Sequence, residues 1–291
     1  MMEDRALILG CLATPVGLPG SGRLRYGAAM ALHRAGEIGD AALEVFRICA
    51  AMDRQDPAGM LAERGLPALP VVVLPPAGII RALVVAADRY LSALPGPGVA
   101  EVRAGLNAAR GGAVTQSPGA TNPVIAAHLP AALATLAGTH PDLAGAIAAA
   151  APLLNWLAYD GYPVDQIGEN FASNHAFAPI IGENAPITAR DYSFGLFLIA
   201  PHVLYRDHHH AAPELYAPLT GPHGWRFGPD TRLVVKPAHE PVWNDPFRPH
   251  LTKVGPLPFL ALFGWTRDVN AGARVIPATD WAALDALRLE L

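Results

Sequence analysis

His208 and His210 stand two residues apart, and Glu214 and Tyr216 repeat that spacing after a break at Pro213. On an extended strand alternate side chains share a face, so His208 and His210 point one way and His209 the other. Two imidazoles, a carboxylate and a phenol can therefore converge on one small volume. Seven of the 11 histidines fall between 202 and 250, and His250, just after Pro249, is the expected fourth ligand. Nitrogen and oxygen donors of this kind suit one divalent transition metal: zinc, iron, manganese or nickel. A carboxylate buried among imidazoles is costly unless its charge is compensated, and a divalent cation does that. Tyr216 shares the face of Glu214, and near a cation its proton leaves more easily than at the reference value of about 10. Tyr205 lies three residues before His208, on the wrong parity for a regular strand; only a bend at Arg206 and Asp207 would bring it inward. His33, His128, His140 and His223 have no second ligand at a telling spacing and read as structural or exposed.

The ligand spacing carries a resemblance. His208-x-His210-x3-Glu214-x6-Gly221 resembles the first motif of the cupins, with His202 where that motif begins in glycine, and His250 stands where the second motif places its histidine. A narrower resemblance joins 195–202 (GLFLIAPH), 205–219, 224–228 (GWRFG), 242–244 (VWN), 248–250 (RPH) and 262–268 (LFGWTRD). Those runs look like the cupin-type dimethylsulfoniopropionate (DMSP) lyases, over the C-terminal half. The resemblance implies a metal-dependent carbon–sulfur lyase that cleaves DMSP to acrylate and dimethyl sulfide by β-elimination. Tyr216 is then the first choice of base and Tyr205 the second. Trp225, Phe227, Trp243, Phe247 and Trp265 read mainly as core. Tyr159, Trp225, Trp243 and Trp265 are the expected lining of a substrate pocket, since a sulfonium over such a ring gains roughly 0.5–2 kcal/mol. Two other readings share these residues: a metal cupin working on another small carboxylate as dioxygenase, isomerase or lyase, and a non-catalytic metal-binding cupin.

The elements that must position these residues change character along the chain. Residues 1–115 read as a helical N-terminal domain. Apolar residues at 3–4 spacing run through 24–52 (Met30, Leu32, Ile38, Ala42, Val45, Phe46, Cys49), the stripe of an amphipathic helix or helix pair, with Gly36 and Gly39 as the interruption. The glycine-rich loop 17–22 has the composition of a phosphate cradle without its strand and Lys-Ser/Thr context. The proline-punctuated 67–76 ends in Val71, Val72 and Val73 and reads as a turn or short strand; 79–94 reads as a helix. The Gly-, Ser-, Thr- and Pro-rich 111–123 is the expected linker. A second domain, 116–291, is expected to hold a helical lead-in over 122–158, with Asp142 capping its second helix, and a barrel over about 186–270. Short β-type runs at 194–199, 203–205, 214–219, 224–227, 233–235, 241–243 and 259–265, punctuated by Pro and Gly, indicate an all-β sandwich or barrel. Thr220 to Gly224 reads as a hairpin turn and 279–291 as a closing helix. With the resemblance, the fold class is α+β: a C-terminal cupin β-barrel (double-stranded β-helix) preceded by a mainly α-helical region.

Composition sets the remaining bounds. Hydrophobic residues make up 52% and charged residues 16% of 291, which supports a substantial core. A net charge of -4 gives nucleic acid no basic face to bind. Cys11 and Cys49 are too few for a disulfide scaffold and read as buried thiols. Despite a mean hydropathy of +0.26, the most apolar stretch, 143–151, falls short of the roughly 20 strongly apolar residues of a membrane span. The acidic start is a poor signal peptide. The expectation is a soluble cytoplasmic protein acting on a small molecule, with no nucleic-acid or membrane partner, and with alanine-rich helices that suit a homodimer.

Overall fold

The computed structural model describes residues 2–69, 73–115, 119–120 and 122–290. Val71 and Val72 of the proposed short strand, and residues 116–118 and 121 of the expected linker, lie outside them. Helices come first: α1 (Met2–Leu12), α2 (Ser21–Arg34), α3 (Asp40–Cys49), α4 (Pro57–Glu63), α5 (Pro76–Ser92), α6 (Val99–Ala109), α7 (Pro123–Ala137), α8 (Pro141–Ala150), α9 (Val164–Ile167) and α10 (Glu169–Ser173). The stripe over 24–52 becomes α2 and α3, parted where Gly36 takes φ +73°, the left-handed conformation that glycine accepts without penalty. At α8 the expected cap is corrected. The N-cap is His140, with no side-chain bond, because Pro141 occupies the first helical position and leaves Asp142 in the first turn. There its carboxylate still favours the positive end of the helix dipole.

Chain contacts divide the molecule into two units, 1–86 with 133–153, and 87–132 with 154–291. The first unit is helical. Its core gathers Leu9, Leu12, Leu32, Val45, Phe46, Cys49 and Leu61. The glycine-rich loop in this unit is already filled: the Asp53 carboxylate accepts from the backbone N–H of Gly20 at 2.9 Å and of Gly22 at 2.8 Å. Asp53 thus caps the start of α2 from 33 residues away, doing for those orphan donors what an anion would do. Gly20 takes φ +77°, and a Cβ there would lie 1.9 Å from the Pro141 carbonyl oxygen.

The second unit holds the strands: β1 (His175–Gly182), β2 (Ile187–Thr188), β3 (Ser193–Ile199), β4 (Leu204–His209), β5 (Glu214–Pro218), β6 (His223–Arg226), β7 (Val234–Lys236), β8 (Val242–Asn244), β9 (His250–Lys253), β10 (Phe259–Trp265) and β11 (Arg274–Val275), closed by α11 (Trp281–Ala286). They form two sheets, ordered β2-β1-β3-β10-β5-β8 and β11-β4-β9-β6-β7. From β3 onward the chain crosses between sheets at almost every connection, as in a double-stranded β-helix. The strands begin at His175, ahead of residue 186. Pro179 sits at a register break in β1 and hides the strand's periodicity from sequence. Residues 220–224 link β5 of one sheet to β6 of the other, so they make a corner and not the expected hairpin. Residues 87–132 pack with the strands: Tyr192 donates to the Val102 carbonyl at 2.8 Å, and Gly98 lies so close to Trp243 that a Cβ would meet the indole at 1.9 Å. Among the described residues no helix is long and apolar enough to cross a membrane.

Candidate metal centre

Strand alternation and register bring the proposed ligands together. β4 and β9 pair with His208 opposite His250, and β5 pairs with β8 with Glu214 opposite Asn244. His208, His210 and His250 each offer a nitrogen within 4.8 Å of the others, and all three are buried. Their tautomers are fixed by the backbone. Nδ1–H of His208 donates to the Arg206 carbonyl at 2.8 Å, that of His210 to Ala212 at 2.8 Å, and that of His250 to Arg248 at 2.9 Å. Nε2 of His208 and of His250 is left with a lone pair directed inward, the arrangement in which carbonyl acceptors orient metal-binding histidines, while His210 Nε2 meets Glu214 Oε2 at 3.3 Å. The Nε2 atoms of His208 and His250 are buried with no hydrogen-bond partner, a state that natural interiors avoid unless something else satisfies it.

Glu214 lies against two of the three imidazoles. Its Oε2 lies 3.3 Å from His210 Nε2 and 3.4 Å from His250 Nε2. Burial works against its charge, but His210 and His250 hold the carboxyl well below the usual carboxylate range. Asn244 donates to Oε2 at 3.1 Å and Trp265 Nε1–H to Oε1 at 2.7 Å, so the carboxylate is aimed by its neighbours. Burial, with His250 and His210 adding to it, pushes His208 well below its ordinary range and keeps it neutral. An ionised carboxylate set against imidazoles, two of them with an unpartnered Nε2, calls for positive charge at their centre. A divalent cation fits that donor set.

Tyr205 reaches the same side through a bulge. Tyr205 pairs with Thr252 and His208 with His250, so β4 spends one residue more than β9 between them. That extra residue, at Arg206 and Asp207, reverses the parity. The Tyr205 ring stacks on His208 at 4.0 Å and on Phe171 at 3.9 Å, and Phe171 stacks on His175 at 4.1 Å. A column of four rings thus ends on a proposed ligand. Tyr205 Oη is 2.9 Å from Tyr162 Oη, and burial pushes the Tyr205 phenol well above its ordinary value. Tyr216 is also buried, with Phe197, Trp225 and Phe259 around it; burial first, and Glu214 second, hold its phenol well above its ordinary value.

The remaining sequence-predicted residues divide. Tyr159 packs edge-on against Tyr162 at 4.8 Å. Trp225 is fully buried beside Tyr216 and its indole N–H has no partner. Trp265 spends its N–H on Glu214 and lays its ring near His210 at 4.6 Å. Trp243 is not brought to the site. It sits between Val242 and Asn244, opposite Leu215, on the other face of β8, and donates to Asp245. His209 likewise faces away, toward Phe247. Sequence reasoning missed Asn244 and Tyr162. Asn244 had a usable signal, since strand parity places it with Val242; Tyr162 had none, because its approach depends on the loop that precedes α9.

A family profile described as DMSP lyase matches residues 100–261. Among solved structures, a chain from the crystal structures of the DMSP lyases RdDddP and RnDddQII superposes with a TM-score of 0.55 at 18% identity, covering 70% of this chain and 100% of that one. The DMSP lyase DddQ from Ruegeria pomeroyi DSS-3 gives 0.49 at 19% identity, over 68% and 95%. A cupin-like protein from Thermotoga maritima gives 0.31 at 12% identity, over 36% and 77%. No curated protein matches the chain. The fold is a cupin-like jelly roll of two sheets with helices ahead of it.

Proposed function

The chain belongs to the DMSP lyase family, and from that premise we propose that it cleaves DMSP to acrylate and dimethyl sulfide by metal-dependent β-elimination. The observation that carries the proposal is the cluster of three buried imidazoles, each held by a carbonyl behind its Nδ1, two of which meet the Glu214 carboxylate, with two buried phenols alongside. His208, His210, Glu214 and His250 would hold the ion. A divalent cation there supplies the charge that offsets Glu214, lowers the proton affinity of Tyr216 and neutralises the substrate carboxylate.

Tyr216 is the proposed base. As tyrosinate it takes the proton alpha to the carboxylate; that electron pair forms the C=C bond as the C–S bond breaks, and the sulfonium departs as neutral dimethyl sulfide. The leaving group needs no proton, so no general acid is required. Tyr205, tied to Tyr162 and pressed between Phe171 and His208, is the second choice and is better placed to shape the pocket. The faces of Tyr159, Tyr162 and Trp265 suit a sulfonium. The free indole N–H of Trp225, buried among Tyr216 and Phe259, suits a substrate oxygen. Gas chromatography of the headspace over metal-loaded protein and DMSP tests the reaction. Absence of dimethyl sulfide from protein shown to hold metal rejects this substrate in favour of another small acid. Tyr216→Phe should lower kcat about 10²–10⁴-fold at unchanged metal content; full activity rejects the assigned base.

A further inference from the structure

The bulge that turns Tyr205 and His208 to one face is gripped from outside the barrel wall by the C-terminal segment. Asp207 is fully buried. Its carboxylate accepts from Arg226 Nε at 3.1 Å, from Arg226 Nη2, and from Trp281 Nε1–H at 2.8 Å. Arg226 is anchored in turn by Asp280, Nη1 to Oδ2 at 2.5 Å. The Asp207 carbonyl accepts from Ile276 N–H at 2.8 Å. The other bulge residue is held as well: the Arg206 guanidinium lies 4.7 Å over the Trp281 ring and donates to the Gln166 carbonyl at 2.6 Å. The Arg206 carbonyl is itself the acceptor that sets the His208 tautomer. β11 runs along β4 with Val275 opposite His208. Buried Lys253, three residues beyond His250 on β9, donates to the Asp285 carbonyl at 2.8 Å. Every backbone and side-chain group at 206–207 named here is thus tied either to the proposed ligand or to residues 276–281 and their partner Arg226. The segment lies beyond residue 261, where the family match ends.

We propose that residues 274–286 act as a strap that positions the metal centre. Trp281 and Asp280, working through Asp207 and Arg226, hold the β4 bulge in the one geometry that aims His208 and Tyr205 inward. They are positioning residues, and the proposal rests on the metal reading of the triad. A buried carboxylate with its arginine partner intact keeps the fold, so loss of the indole donor should loosen the ligand geometry without unfolding the chain. The test is titration of the full chain with Co(II) against a competing chelator, read by visible absorption. Trp281→Phe keeps an aromatic ring beside Arg206 and removes the indole N–H. It should weaken Co(II) binding about tenfold, as outer-shell changes do, and shift the absorption bands, while the metal-free variant melts with wild type. Asp280→Asn should move both readouts the same way by less, and it decides the matter alone if Trp281→Phe does not fold. Wild-type Co(II) affinity and spectrum in the folded variants overturn the strap. Failure of the wild-type chain to bind Co(II) overturns the metal reading together with it, and the two failures look different.

Discussion

The glycine-rich loop of the helical unit and the histidine cluster of the barrel pose the same question with opposite answers. At residues 17–22 the backbone offers N–H donors to an anion, and Asp53 already satisfies them. At 208–250 the barrel offers lone pairs to a cation, and two of the buried nitrogens have no partner. The same contrast recurs among the histidines. His175 donates from Nδ1 to Phe171 and accepts at Nε2 from Tyr159 N–H. His223 accepts from Gly255 N–H at 3.1 Å and meets Thr220 Oγ1 at 3.4 Å. Both are closed on either side, whereas His208 and His250 are closed on one. Burial alone does not mark a functional polar group; unanswered polar atoms of several buried ligands gathered in one place do.

Breaking the open side should have the largest effect. His250→Ala should abolish dimethyl sulfide release and weaken metal binding more than about 100-fold, beyond the range for outer-shell partners, measured by metal content after dialysis. His209→Ala, one strand face away, should leave both unchanged. The closed histidines should speak through pH. Burial pushes His223 down to about 3 and lowers His175, so below about 6.5 the unfolded chain binds protons that the folded chain refuses. The stability these groups contribute is complete above about 6.5 and is lost as pH falls toward the folded value. The unfolding free energy from urea denaturation should therefore fall between pH 6.5 and 4.5 by about 2–3 kcal/mol for His223 alone, and His223→Gln should flatten that slope. The smallest effect belongs to the loop: Asp53→Ala should cost about 1–2 kcal/mol in urea denaturation with metal content intact. A metal loss there would erase the distinction between the two regions.

Much of the barrel's site was legible because strand parity is a local rule. His208-x-His210 and Glu214-x-Tyr216 had to share faces once they were strands, and Asn244 could have been read the same way from Val242. Tyr205 could not, since its side depends on whether β4 carries an extra residue, and that is set by Asp207, Arg226 and Trp281 meeting from three parts of the chain. Trp243 looked like a pocket residue by type, but the register of β8 against β5 turns it toward Gly98.

Sequence by itself determined the chemistry available: which donors exist, that two strands would present them in pairs, and that helices would precede the barrel. Those follow from periodicities two to four residues long. Tertiary structure alone decided which donors stay unsatisfied. That choice rests on which partners the fold brings up, Asp53 reaching Gly20 and Gly22 in one unit and carbonyls closing only the Nδ1 side of His208 and His250 in the other. A hydrogen bond between distant residues leaves no trace in local spacing.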